Sequence, residues 1–114
     1  MKSTPIVRAL VAGAALVAAS TVSAQAWPSK PIRIVVPYPP GGSSDIIARA
    51  ISQPLSEALK TTVIVENRPG ANGNTGTDSV AKANDGHTLL LCDVGALAIT
   101  ASVYKQLPFE PSKD

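Results

Sequence analysis

Ile32-Arg33-Ile34-Val35-Val36-Pro37-Tyr38-Pro39-Pro40-Gly41-Gly42-Ser43-Ser44-Asp45-Ile46-Ile47-Ala48 changes its period partway along. The first five residues are β-branched apart from one arginine and almost continuously apolar. That is the pattern of a strand covered on both faces in a parallel sheet. Pro37 closes the strand, and residues 38–44 form a connection rich in turn formers. Beyond it, Ile47, Ile51, Leu55, Ala58 and Leu59 recur at helical spacing and predict one buried helix face. Ser43 or Ser44 is placed to cap this helix and Asp45 to sit in its first turn. Pro54 is expected to kink the helix or end it early.

The same alternation continues downstream. Residues 62–66 (TVIVE) read as a second strand and residues 67–76 (NRPGANGNTG) as a second glycine-rich connection. Residues 77–83 read as a short helix with Val80 and Ala81 inward, and Asn84-Asp85-Gly86 as a turn. Residues 88–92 (TLLLC) are a third strand. Residues 93–101 are ambiguous, with Leu97 and Ile99 expected in the core. Residues 107–114 form an extended exit. Strand–helix–strand–helix–strand predicts an α/β fold, a doubly wound parallel sheet with right-handed crossovers. Such sheets bind ligands outside the carboxyl ends of their strands. Residues 38–44, 67–76 and 93–96 all leave at that edge.

Upstream, residues 1–26 carry Lys2 and Arg8, then an uncharged run over residues 9–19, then Ala24-Gln25-Ala26. This three-part pattern is that of a secretory signal peptide, cleaved near Ala26, with cleavage after Ala24 the alternative. The apolar run is about half the ~20 residues that a membrane-crossing helix needs. No cysteine follows it to carry a lipid. Residues 27–114 would then be a domain in the periplasm, small enough to be marginally stable.

Composition removes several classes. Of the 114 residues, ten are Lys or Arg and eight Asp or Glu, giving a net charge of +2. The excess lies in Lys2 and Arg8, so the remainder is neutral. With one Trp, two Tyr and one Phe it has neither the basic stripe nor the stacking rings of a nucleic-acid surface. A single cysteine and a single histidine argue against an internal disulfide, a multi-cysteine metal site or any other cofactor centre.

The loops suggest two chemistries. Gly41-Gly42-Ser43-Ser44-Asp45 at a strand-to-helix turn offers unpaired amides and hydroxyls to a carboxylate or phosphate. It serves equally as a sharp turn with a serine cap. Residues 67–76 offer amide donors or simply reverse the chain. They fit neither a Walker A pattern nor G-x-G-x-x-G. Arg68 could clamp a carboxylate, but pairing with Glu66 or Asp78 is the simpler expectation. Asp45 could meet a ligand amine or act as a helix-start anion. Cys92 reads as core and His87 as a strand-entry residue. A Ser43–His87–Asp93 triad would define a small secreted hydrolase, yet no G-x-S-x-G elbow occurs.

Four ordered motifs resemble one family. They are WPSKPIRIVVP (27–37), PPGGSSD (39–45), VENRPGA (65–71) and DGHTLL (85–90). Together they are similar to the Bug receptors of tripartite tricarboxylate transporters. The resemblance implies a type II periplasmic-binding clamshell, with residues 27–114 forming part of the first lobe and the second lobe absent. It implies no catalysis, capture of a small carboxylate-type solute, a membrane permease as partner, and a monomer. It implies a ligand site at Tyr38, Pro40, Gly41, Gly42, Ser43, Ser44 and Asp45, at Asn72, Gly73, Asn74 and Thr77, and at Asp93, Gly95 and Ala96. Family members more usually carry small residues where this chain has Cys92-Asp93, and a carboxylate there repels an acidic ligand. The alternative to a receptor is an interaction module that keeps the permease-facing surface without binding solute.

Overall fold

The computed structural model describes residues 26–113. The expected signal peptide lies outside these residues, except for Ala26. Three parallel strands form the sheet: β1 (Ile32–Val36), β2 (Val63–Asn67) and β3 (Thr88–Leu90). β1 is central, in the order β2-β1-β3, with Ile34 opposite Val65 on one side and Leu89 on the other. Its β-branched residues suit a strand covered on both faces, and Ile32, Val35 and Val36 are completely buried. Pairing runs past the strand ends through Arg68 N–H to Val36 O (2.8 Å) and Leu91 N–H to Val35 O (3.0 Å).

Helix α1 (Ser43–Leu59) covers the face of Ile34 and Val36, where Ala48 and Leu55 meet Val63, Val65 and Leu91. Helix α2 (Asn74–Ala81) lies on the opposite face, where Val80 and Ala81 share a groove of about 360 Å³ with Leu90 and Phe109. Helices on both faces make the sheet doubly wound. The chain then passes through a π-helical turn (Gly95–Ile99) into a short helix α3 (Thr100–Val103).

Several sequence expectations are corrected. Pro54 does not end α1, which is continuous over 17 residues. Ala50, whose carbonyl loses its partner to the proline ring, lies on the exposed side of the helix, open to solvent. Neither serine is the N-cap. Gly42 holds that position, because Gly41 (φ +91°) turns the chain one residue earlier. The buried face of α1 is also rotated. Ser44, Asp45 and Ala48 face inward, while Ile47 is 53% exposed and Ile51 lies outside with it. Leu97 and Ile99 are exposed rather than core. α2 begins at Asn74, three residues before the expected start. β3 is shorter than TLLLC, and Cys92 is half-buried.

Candidate functional site

All three strands run the same way, so the connections after β1, β2 and β3 leave one rim of the sheet. Two contacts bring them together. The Tyr38 hydroxyl, from the first connection, donates to Asp93 Oδ1 in the third at 2.6 Å. Gly73, from the second, fits against both. A Cβ there would lie 3.3 Å from Ala96 Cβ and 3.4 Å from Tyr38 Oη. With φ +89°, this position favours glycine on backbone grounds as well.

The first connection is held by a polar ring. Asp45, 4% exposed, sits in the first turn of α1. It accepts from Gly41 N–H (2.9 Å), from Arg49 Nε (3.0 and 3.1 Å) and from Asn67 Nδ2 (3.0 Å). Asn67 Nδ2 also donates to Tyr38 O, and Asn67 Oδ1 accepts from Arg49 Nη2. The Arg49 guanidinium, then the Gly41 amide and Asn67, hold the Asp45 carboxyl down at about 2, well below its ordinary range. Asp45 is thus the helix-start anion of the two roles open to it. The first bond within α1 runs from Ile46 N–H to Gly42 O, and no side chain caps the helix. The amides of Ser43, Ser44 and Asp45 therefore precede the helical ladder at the positive end of the helix dipole. Pro40, Gly41, Gly42 and Ser43 are exposed beside them, whereas Ser44 is buried.

The second connection is built from left-handed backbone. Gly70 (φ +136°), Ala71 (+48°), Asn72 (+56°) and Gly73 (+89°) follow one another. A tight turn results, with Gly73 N–H bonded to Gly70 O at 2.9 Å. Asn72 is exposed, and Asn74 and Thr77 are buried behind it. The Thr77 hydroxyl donates to Gly73 O (2.9 Å), and the buried Asn74 Oδ1 has no partner.

In the third connection Asp93 gathers its own turn, with Gly95 N–H (2.8 Å) and Ala96 N–H (3.3 Å) both donating to Oδ1. The Tyr38 bond, followed by these amides, lowers the Asp93 carboxyl below its usual range against the opposing effect of burial. Burial, reinforced by the bond to Asp93, pushes the Tyr38 hydroxyl up to about 12. Burial, with the Asp93 charge beside it, also raises the Cys92 thiol, which disfavours the thiolate.

Arg68 pairs with Glu66 (2.6 Å), as the simpler expectation had it. His87 is remote from the rim. It sits at the amino end of β3, buried, where Nε2 accepts from Ser29 N–H (3.2 Å) and Nδ1 faces Asp85 O (2.7 Å). The Trp27 ring packs on it, and the indole N–H donates to Gly86 O (3.1 Å). Ser43 and Asp93 lie at the other end of the sheet, so no triad assembles. Among the described residues no cluster of His, Cys, Asp and Glu is arranged to hold a metal. Sequence reasoning missed Arg49 and Asn67. Asn67 reads as a turn former, and its partnership with Asp45 across 22 positions leaves no local trace.

A doubly wound sheet with an open helix start and three converging loops at its carboxyl rim is a ligand-binding architecture of α/β proteins. The comparisons give this class its family: residues 47–114 match the tripartite tricarboxylate transporter family receptor, and the chain belongs to that family. It is 45% identical over 98 residues to protein BugT of Bordetella pertussis, covering 84% of this chain and 30% of BugT. The solved structure of the periplasmic binding protein BugD is 40% identical, with a TM-score of 0.70 over 75% of this chain and 28% of that one. R. palustris Rpa4515 with adipate is 34% identical, with a TM-score of 0.73 over 78% and 30%. MatC from Rhodopseudomonas palustris with bound malate is 32% identical, with a TM-score of 0.72 over 76% and 30%. The chain spans about a third of the length of the curated relatives it matches. The family is one of solute-binding receptors rather than enzymes. Among the described residues no helix is long and apolar enough to cross a membrane.

Proposed function

We propose that this chain supplies one ligand-holding rim of an extracytoplasmic receptor, which captures a small organic acid and delivers it to the permease of a tripartite tricarboxylate transporter. The observation that carries the reading is the meeting of Tyr38, Gly73, Asp93 and Ala96 beside the uncapped start of α1. Amides ahead of the helical ladder, with the Ser43 hydroxyl among them, suit a carboxylate. Exposed Pro40, Gly41 and Gly42 let it approach. Asn72, Gly73, Asn74 and Thr77 form the second wall, and Asp93, Gly95 and Ala96 the third. Relatives solved with adipate and malate support a carboxylate-bearing solute.

In this reading residues 1–26 are the export signal and residues 27–114 belong to the first lobe. Sequencing the amino terminus of protein recovered from the periplasm is expected to begin at Trp27. The binding test is a titration of the ¹⁵N-labelled chain with small carboxylic acids. Amide shifts are expected at Gly42, Ser43, Gly73 and Gly95. Their absence with every acid, at millimolar concentration, sinks the receptor reading.

A further inference from the structure

Hydrogen-bonding groups at the rim are unevenly divided. Three backbone donors are already engaged by the chain's own carboxylates: Gly41 by Asp45, and Gly95 and Ala96 by Asp93 Oδ1. The Tyr38 hydroxyl gives its proton to the same Oδ1. Positive side chains nearby are engaged too, Arg49 with Asp45, and Arg68 and Arg33 with Glu66.

Two acceptors remain open. Asp93 is exposed, and its second oxygen, Oδ2, has no partner among the described residues. Asn74, 6% exposed and directly after Gly73, holds its Oδ1 buried and unpartnered. The turn Ala71–Gly73 that leads into it packs against the turn Gly95–Ile99 that comes after Asp93. A solute with carboxylates at both ends would find donors at the start of α1 and a fixed negative charge in the third connection. An amine-bearing acid finds a complement at each end.

Given a rim that holds a carboxylate, as the receptor reading requires, we propose that Asp93 determines specificity: its free Oδ2 receives a protonated amine on the bound acid, so the cleft selects amino acids with separated charges over dicarboxylates of equal length. The turn around Asp93 is built to hold that oxygen still. Three donors fix Oδ1, so Oδ2 is oriented before a ligand arrives, which limits the ordering cost of binding.

The test uses pairs of acids that differ only in one charged end: glutarate against 4-aminobutanoate, and succinate against 3-aminopropanoate. Each is titrated into the ¹⁵N-labelled chain and into its Asp93→Asn variant. The amino member of each pair is expected to bind at least about tenfold more tightly to the natural chain, the scale of one charge-assisted hydrogen bond. Asp93→Asn keeps Oδ1 for Tyr38, Gly95 and Ala96, and is expected to abolish the preference while shifts at Gly42 and Ser43 persist. Equal or tighter binding of the dicarboxylates to the natural chain overturns the inference and leaves the receptor reading standing. A preference that survives Asp93→Asn also overturns it. Failure of all four acids to bind overturns the inference, and the receptor reading falls with it only when no other small carboxylic acid shifts the rim amides either. Should the variant not fold, the paired acids on the natural chain decide alone.

Discussion

Asp45 and Tyr38 carry the most exact demands at the level of single residues. Asp45 must be ionised to accept from Gly41, Arg49 and Asn67 together, and its carboxyl is drawn down to about 2 from an ordinary 3.8. A lowered carboxyl favours the folded chain above the ordinary value and loses that contribution as pH falls through about 2. Stability is therefore expected to decline in acid below about pH 4. A ¹³C carboxyl titration should place the Asp45 midpoint near 2; a midpoint near 3.8 would mean the ring around it does not form. For Tyr38 the sign is opposite. Its hydroxyl is raised to about 12, so its contribution is complete below the ordinary 10.0 and disappears as pH rises through about 12. Ultraviolet titration of a Tyr104→Phe variant isolates it. Ala71 and Asn72 are also costly, since each lies in left-handed backbone with a Cβ. Ala71→Gly is expected to raise stability by about 1 kcal/mol in chemical denaturation. A loss instead would show that the Ala71 methyl contributes more than its backbone costs.

Among the elements, the helix starts are the most informative. α2 begins at Asn74 even though Gly73-Asn74-Thr75-Gly76 reads as loop, because Gly76 packs where no side chain fits. A Cβ there would lie 2.7 Å from Pro37 Cβ and 2.8 Å from Arg68 O. Gly76→Ala is expected to cost about 1–3 kcal/mol through overpacking. Gly42→Ala has only Pro39 O at 3.7 Å to meet and is expected to cost about 1 kcal/mol or less. Denaturant melts of the two variants compare them directly, and similar losses would refute the close approach at Gly76. Strand order along the chain, the parallel sheet and the common rim were legible because β-branched runs and glycine-rich turns are local signals. The inward face of α1 was not. Periodicity pointed to Ile47 and Ile51, yet the polar ring at Asp45 and the small Ala48 against Ile34 and Val36 set the helix rotation. Such long-range partners, like Asn67 for Asp45, are visible only after folding.

For the molecule as a whole, the sheet is narrow and much apolar surface stays outside. Ile46, Ile47, Leu89, Val94, Ile99 and Val103 are all exposed. Ala50, Ile51, Pro54, Leu55 and Ala58 line an open apolar groove along α1. A domain of this size buries only about 60–65% of its unfolded surface. The isolated chain is expected to be marginally stable and to bind the dye ANS strongly. A sharp cooperative melt with no dye binding would contradict that. At this scale the family came from the motif resemblance more than from periodicity, since three strands alone fit many doubly wound proteins.

The position of β1 has a consequence for timing. Of the three strands, the middle one is made first by the ribosome, and it cannot acquire its second neighbour until Thr88–Leu90 has been added. At ordinary elongation rates that leaves it half-bare for roughly 1–5 s after β2 is complete. Until then the backbone groups along that edge have no strand to pair with. The late arrival of the third strand thus acts as a built-in delay, during which the middle strand keeps one edge open.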